Sequence, residues 1–364
     1  MARRRLIMSV LKTLDQFLKK AEDKTIKNFP VKDFLDDLGR NGVKLIRNWN
    51  EELAVIDKII DSLAARNLKK KFLDSEVFFD HLISIANTKI VNAQILTLEL
   101  LNKIASNTEQ RLVLRDKFQE EIGNIARQLP KLGDYEHQIL ILEFLIRYQV
   151  REDKDLITKS LGEDLGSKFC QISKKTFESD ARPFLNAVNE KNGLIVSLPC
   201  HRAFVATREI QPPPAKGYKS LWVDFQYGSK SIRIYCKLHS LADQSGKWDS
   251  FVIDAKDIVS YLILGKKDNG KKQTRSLHKI TVAKECYAMF DATTLSQFPG
   301  REVTLEFDKG LPVQQCIEKL CNHMSVTTNS SQNSTDVFEG SQKSIPSVAL
   351  NQFKISLLEK TPKG

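Results

Sequence analysis

The thirty residues from Thr176 to Val205, TFESDARPFLNAVNEKNGLIVSLPCHRAFV, restrict what this chain can fold into more than any other stretch. Up to Val188 the apolar residues recur at the three- and four-residue spacing of an amphipathic helix. From Leu194 onward they come in short β-rich runs: LIVSL, then SLWVDF, then SIRIYC. One chain with two such periods predicts a helical half joined by a short corner to a β half.

A chain of 364 residues can build two domains with full hydrophobic cores. In the helical half, Leu6, Val10, Leu11, Leu14, Phe17 and Leu18 mark an opening helix. Further helices are expected over residues 31–49, 50–68, 74–86, 91–105, 108–129, 133–150 and 155–172, with a last one carrying Phe184, Leu185 and Val188. Residues 91–104 and 138–150 are apolar over more than one stripe, as inner helices packed on two sides are. That favours an irregular armadillo-like array, with a plain helical domain as the alternative. Asp134 is placed to cap the helix after Gly133, and His81 reads as a packed or surface residue.

The β half begins with a strand at Leu194–Leu198, stopped by Pro199, and a second at Ala203–Ala206. Ser220–Phe225 and Ser231–Cys236 flank Gln226–Ser229 as a hairpin, after a stiff proline loop at 211–217. Residues 251–253, 258–263, 277–282, 288–290 and 302–307 are further short strands, and Val313–Met324 is a closing amphipathic helix. About seven strands and one helix predict a bent antiparallel sheet with the helix across its open end, the order of a pleckstrin-homology-like barrel. The expected division is therefore 1–190 helical, 191–325 β, and 326–364 a Ser/Thr/Asn-rich flexible tail closing on PSVALNQFKISLLEK.

The formal net charge of +11 is unevenly spread: residues 1–190 hold 32 Lys/Arg against 29 Asp/Glu, and 191–364 hold 24 against 16. An acidic partner is therefore expected at the β half. Its densest basic stretch is GKKDNGKKQTRSLHK, with Lys266, Lys267, Lys271, Lys272, Arg275 and Lys279. These six are the candidate contact for DNA phosphates or the acidic face of histones, the alternative being a solvated hairpin tip. Acidic phosphoinositide lipid is the competing ligand.

No glycine-rich phosphate loop, HExxH, nucleophile elbow or calcium loop is present, so neither an enzyme nor a cofactor is expected. Cys316, Cys321 and His323 have a metal-like spacing, but the two cysteines share helical positions with Ile317 and Leu320 and read as core thiols. Cys200 and His201 are adjacent rather than convergent, with no local acid to orient the imidazole. Six cysteines in a chain this long suit a reducing compartment. The opening MARRRLIMSVLKTL reads as a helix rather than a secretory signal, and no apolar run is long enough to span a bilayer.

LGDYEHQILILEFLIR (132–147), FESDARPFLNAVN (177–189), SLPCHRAF (197–204) and LWVDFQYGSKSIRIY (221–235) resemble the N-terminal region of the synaptonemal complex protein 2 family. The resemblance implies an armadillo-like domain followed by a domain like the middle domain of the histone chaperone subunit Spt16, which is pleckstrin-homology-like. It also implies a non-catalytic scaffold in the nucleus, on the meiotic chromosome axis. Axis proteins such as synaptonemal complex protein 3, centromere or chromatin proteins, and DNA or histones would be its partners, and no membrane. The chain is shorter than the family's large members and lacks their C-terminal coiled coil, so the role expected is that of a recruiter or a subunit joined through partners.

Overall fold

The computed structural model describes residues 75–105, 108–148, 150–212, 220–237, 248–264, 274–283 and 300–321. The helices expected before Ser75, the strand at 288–290 and the tail lie outside these residues. The chain divides into two compact units: one takes in the helical part up to Phe184, the other the β part from Leu185 together with the segment Leu132–Tyr135.

In the helical unit, α1 (Glu76–Ala86) starts where the Ser75 Oγ accepts the Phe78 N–H at 3.2 Å. Phe78, Phe79, Leu82, Ile83 and Ile85 are its buried face. After α2 (Val91–Ile104), the expected single helix over 108–129 is two, α3 (Thr108–Lys117) and α4 (Gln119–Gln128). The break falls at Phe118, which leaves helical geometry and buries its ring 5.2 Å from that of Phe79. Next come α5 (Tyr135–Arg147), α6 (Lys154–Leu161), α7 (Glu163–Cys170) and α8 (Phe177–Asn192). The expected helix over 155–172 divides into α6 and α7 because Gly162 sits at φ 80°, the left-handed region that ends a helix.

The interior of this unit includes a charge. Glu143 on α5 is 7% exposed; its Oε1 takes the Arg147 Nη2–H at 2.6 Å, and its Oε2 takes the Asn102 Nδ2–H at 3.3 Å from α2. Burial raises the Glu143 carboxyl above the ordinary carboxylate range, and Arg147 one turn on opposes that shift. Asn102 also donates to the Leu140 carbonyl, so one amide ties α2 to α5 twice. His81 is buried on α1.

The β unit holds two antiparallel sheets. One has the order β1 (Ile195–Cys200), β4 (Leu221–Gln226), β5 (Ser231–Lys237), β6 (Trp248–Asp254). The other runs β3 (Arg208–Ile210), β2 (Arg202–Val205), β9 (Glu302–Asp308), β8 (Arg275–Val282), β7 (Ile258–Leu264). Val223, Phe225, Ile232, Ile234, Ile280, Val303, Leu305 and Phe307 meet in one core. Helix α9 (Val313–Leu320) adds Val313, Cys316, Ile317 and Leu320 to it. The architecture is mixed α+β, helices first and antiparallel sheets after.

Two strand expectations are corrected. Pro199 does not stop β1, which runs on to Cys200. Among the described residues β1 is an outer strand whose backbone ladder is with β4 alone, so a missing N–H on the free side breaks no ladder. The strand opens at Ile195 rather than at Leu194, which is 36% exposed just before it, while Val196 and Leu198 pack inward.

The segment Leu132–Tyr135 lies against the β4–β5 hairpin. The Tyr135 N–H donates to the Gln226 Oε1 at 2.7 Å, and the Ser229 N–H donates to the Gly133 carbonyl at 3.3 Å. Asp134, immediately before α5, has its carboxylate 3.7 Å from Arg233, and the Tyr135 and Tyr235 rings meet edge-on at 5.5 Å.

Candidate interaction surface of the β unit

Strand alternation assigns the described members of the basic stretch to a face. On β8, His278, Ile280 and Val282 are buried, so Arg275, Leu277, Lys279 and Thr281 share the opposite, outer face. The antiparallel register sets Glu302, Thr304, Glu306 and Asp308 of β9 beside them. On the far side of β9, Arg202 and Phe204 of β2 continue the same row.

The cations on this face have partners. Arg275 lies 3.3 Å from Glu306 and Lys279 lies 2.6 Å from Glu302. Arg202 grips Glu209 with two nitrogens, at 2.7 and 3.2 Å, and lies over the Phe204 ring at 4.7 Å. That hydrogen bonding holds the Glu209 carboxyl below its ordinary range. Arg275 and Lys279 are thus brought onto one strand face, each beside a carboxylate. Lys266, Lys267, Lys271 and Lys272 lie outside the described residues. The β9 carboxylates went unread in the sequence, although Glu302, Glu306 and Asp308 recur at even spacing within one strand pattern.

Half-buried Phe204, Leu262, Leu264 and Leu277 add apolar surface to the same face. The result is a sheet surface of paired charges and partly covered apolar side chains. Behind it, His278 is held in the core. Its Nδ1 and the Tyr261 hydroxyl are 2.5 Å apart, its Nε2 and the Ser276 Oγ 2.8 Å apart, and the Phe307 ring meets it edge-on at 5.7 Å. Burial pushes its pKa down to about 4, so near neutral pH the imidazole carries one proton, with one nitrogen donating and the other accepting.

The cysteine readings resolve in the same region. Cys200 is buried, its thiol donating to the carbonyls of Arg202 at 3.1 Å and Glu306 at 3.4 Å, and burial pushes its pKa up to about 12. His201 has no acid beside it in sequence, but the fold brings Asp308, distant in sequence, to 2.7 Å from its Nε2. The thiol is buried and protonated, so the pair does not form an activated nucleophile. Cys316 and Cys321 are core thiols whose pKa values burial raises. His323 is outside the described residues. In the helical unit, a cleft of about 670 Å³ is lined in part by Asp80, Asn87, Lys89, Glu121, Arg127 and Lys131, and so carries both signs of charge.

Comparison with known proteins places this geometry. Residues 195–323, from the first residue of β1 to just past α9, match the family described as the Synaptonemal complex 2 Spt16M-like domain. The β unit is thus similar to domains of that class. The chain is 27% identical over 184 residues to Synaptonemal complex protein 2-like of Xenopus laevis, covering 49% of this chain and 18% of that protein. It is 24% identical over 300 residues to Synaptonemal complex protein 2 of Homo sapiens, covering 79% of this chain and 18% of that protein. These matches show the resemblance to the synaptonemal complex protein 2 family, and the chain spans less than a fifth of the length of these relatives. A solved structure titled Synaptonemal complex protein aligns at a TM-score of 0.48 and 18% identity, covering 79% of this chain and 86% of that one.

Proposed function

We propose that this chain is a non-catalytic docking scaffold of the meiotic chromosome axis, acting in the nucleus as part of a synaptonemal complex. The match of residues 195–323 to the Synaptonemal complex 2 Spt16M-like domain carries the reading. Its helical unit acts as an armadillo-like array and its β unit as a pleckstrin-homology-like module. Each offers a surface to other axis proteins, among them synaptonemal complex protein 3, or to centromere and chromatin proteins. The outer face of the second sheet suits a protein partner: paired charges and half-buried apolar side chains are the vocabulary of protein interfaces. A phosphate backbone is served better by cations without such partners.

The surplus of cations in the second half favours a second reading, a histone- or DNA-binding chromatin module that works outside meiosis. Localisation of the tagged endogenous protein in spread germ-cell nuclei, with pull-down from the same tissue, separates the two. Linear staining along paired chromosomes with recovery of axis proteins supports the axis role. Diffuse chromatin staining with recovery of histones alone moves the assignment to the second reading. Membrane staining removes both and points to a phosphoinositide adaptor.

A further inference from the structure

Sheet edges expose unpaired N–H and C=O groups, and folded proteins usually blunt them with charge, proline, bulges or a covering element. Strand β7, Ile258–Leu264, is the end strand of the five-stranded sheet, and among the described residues β8 is its one hydrogen-bonded neighbour. Its sequence is IVSYLIL, seven residues without a charge, a proline or a glycine. Among the described residues, the one protective device is a register irregularity between Ile258 and Ser260, where Val259 is thrown out to 59% exposure. From Ser260 to Leu264 the register runs unbroken. Leu262, Ile263 and Leu264 are half-buried, so their apolar surface is left partly uncovered along this edge.

We propose that the β7 edge pairs antiparallel with the β7 edge of a second copy of this chain, joining the two five-stranded sheets across a two-fold axis. Facing residues of an antiparallel pair share one side of the sheet, so a two-fold register must centre on a residue. Centring on Leu262 is the choice that pairs the whole of the unbroken run with itself: Leu262 meets its own copy, Ser260 meets Leu264, and Tyr261 meets Ile263. Centring on Tyr261 would draw Val259, in the irregularity, into the ladder. In the Leu262 register no charge faces another, because the strand has none. Leu262 and Leu264 gain apolar neighbours on the outer face, and Ile263 is covered at the rim of the core. A charged partner strand would gain no ion pair from this edge; the strand is complementary to itself.

The test is sedimentation velocity of the full chain across a wide concentration range, beside the Leu262→Lys variant, which sets two lysines opposite each other at the axis. A wild-type dimer and a monomeric variant with an unchanged melting curve support the pairing. Should Leu262→Lys fail to fold, cross-linking decides. Side chains directly opposite in an antiparallel pair have Cβ atoms about 4.5–5.5 Å apart. Leu262→Cys should therefore oxidise to a covalent dimer faster than wild type, and Leu264→Cys, which faces Ser260, should not. A wild-type chain that stays monomeric throughout overturns the proposal. So does a dimer that survives Leu262→Lys, or equal cross-linking at both cysteine positions.

Discussion

Gly133 and Gly228 meet backbone to backbone: a Cβ built on Gly133 would lie 2.5 Å from the Gly228 Cα, and one built on Gly228 would lie 2.6 Å from the Gly133 Cα. No side chain fits between them. The approach lets the Ser229 N–H reach the Gly133 carbonyl, and beside it the Tyr135 N–H reaches Gln226. Gly228→Ala must push the segment Leu132–Tyr135 off the hairpin, a shift of the overpacking kind that costs about 1–3 kcal/mol. Gly133→Ala should cost a similar amount by urea denaturation. The double variant should cost less than the sum, since one displacement relieves both clashes.

The buried Glu143 depends on Arg147. Arg147→Met leaves the carboxylate with the Asn102 amide in a site that burial already makes unfavourable for charge, and it should destabilise the helical unit by about 3–5 kcal/mol. Adding Glu143→Gln should recover most of that loss. A denaturation cycle over the four proteins reads the coupling directly.

Phe184 is 3% exposed and packs edge-on against Phe169 with ring centroids 6.0 Å apart. Phe184→Ala empties a closed site and should lower the unfolding free energy by about 3–5 kcal/mol. An unchanged urea midpoint would remove Phe184 from the core.

His278 gives the β unit a pH dependence with a defined sign. Its folded pKa is depressed to about 4 from the ordinary 6.5, so below 6.5 the unfolded chain takes the proton more readily than the folded one. Its contribution is fully present above pH 6.5 and is lost as pH falls towards 4. His278→Gln keeps a hydrogen-bonding side chain without the titration. Stability measured from pH 7 to pH 4 should fall less steeply in this variant than in wild type.

The sequence announced the change from helix to strand because apolar spacing is local: α8 closes at Asn192 and β1 opens at Ile195, where the pattern changes. The β4–β5 hairpin was legible from two short β-rich runs on either side of a four-residue turn, although neither strand alternates cleanly between buried and exposed positions. The breaks at Phe118 and Gly162 were less so. Phe118 leaves its helix to reach Phe79, a distant contact that periodicity does not carry, and an isolated glycine is compatible with a helix until its φ is known. The docking of Leu132–Tyr135 on the β4–β5 hairpin was hidden more deeply, since both glycines read as ordinary turn residues. The outer sheet face was half-read. Its lysines and arginine stand out as a run, whereas the carboxylates that pair with two of them lie on β9 and join them only through the β8–β9 register.

That pairing divides the six basic residues into two groups with different expected behaviour. Arg275 and Lys279 are neutralised by Glu306 and Glu302, so Arg275→Ala with Lys279→Ala should change DNA affinity by less than about tenfold. Lys266, Lys267, Lys271 and Lys272 precede β8 in the run richest in cations. If DNA is bound, reversing all four to Glu should weaken it most and lower the dependence of log affinity on log salt by about 0.9 for each phosphate no longer neutralised. Fluorescence anisotropy titrations at several salt concentrations measure both quantities. A larger effect from the Arg275 and Lys279 pair than from the four lysines would place the DNA on the sheet face itself, with Glu302 and Glu306 giving up their partners to the phosphates.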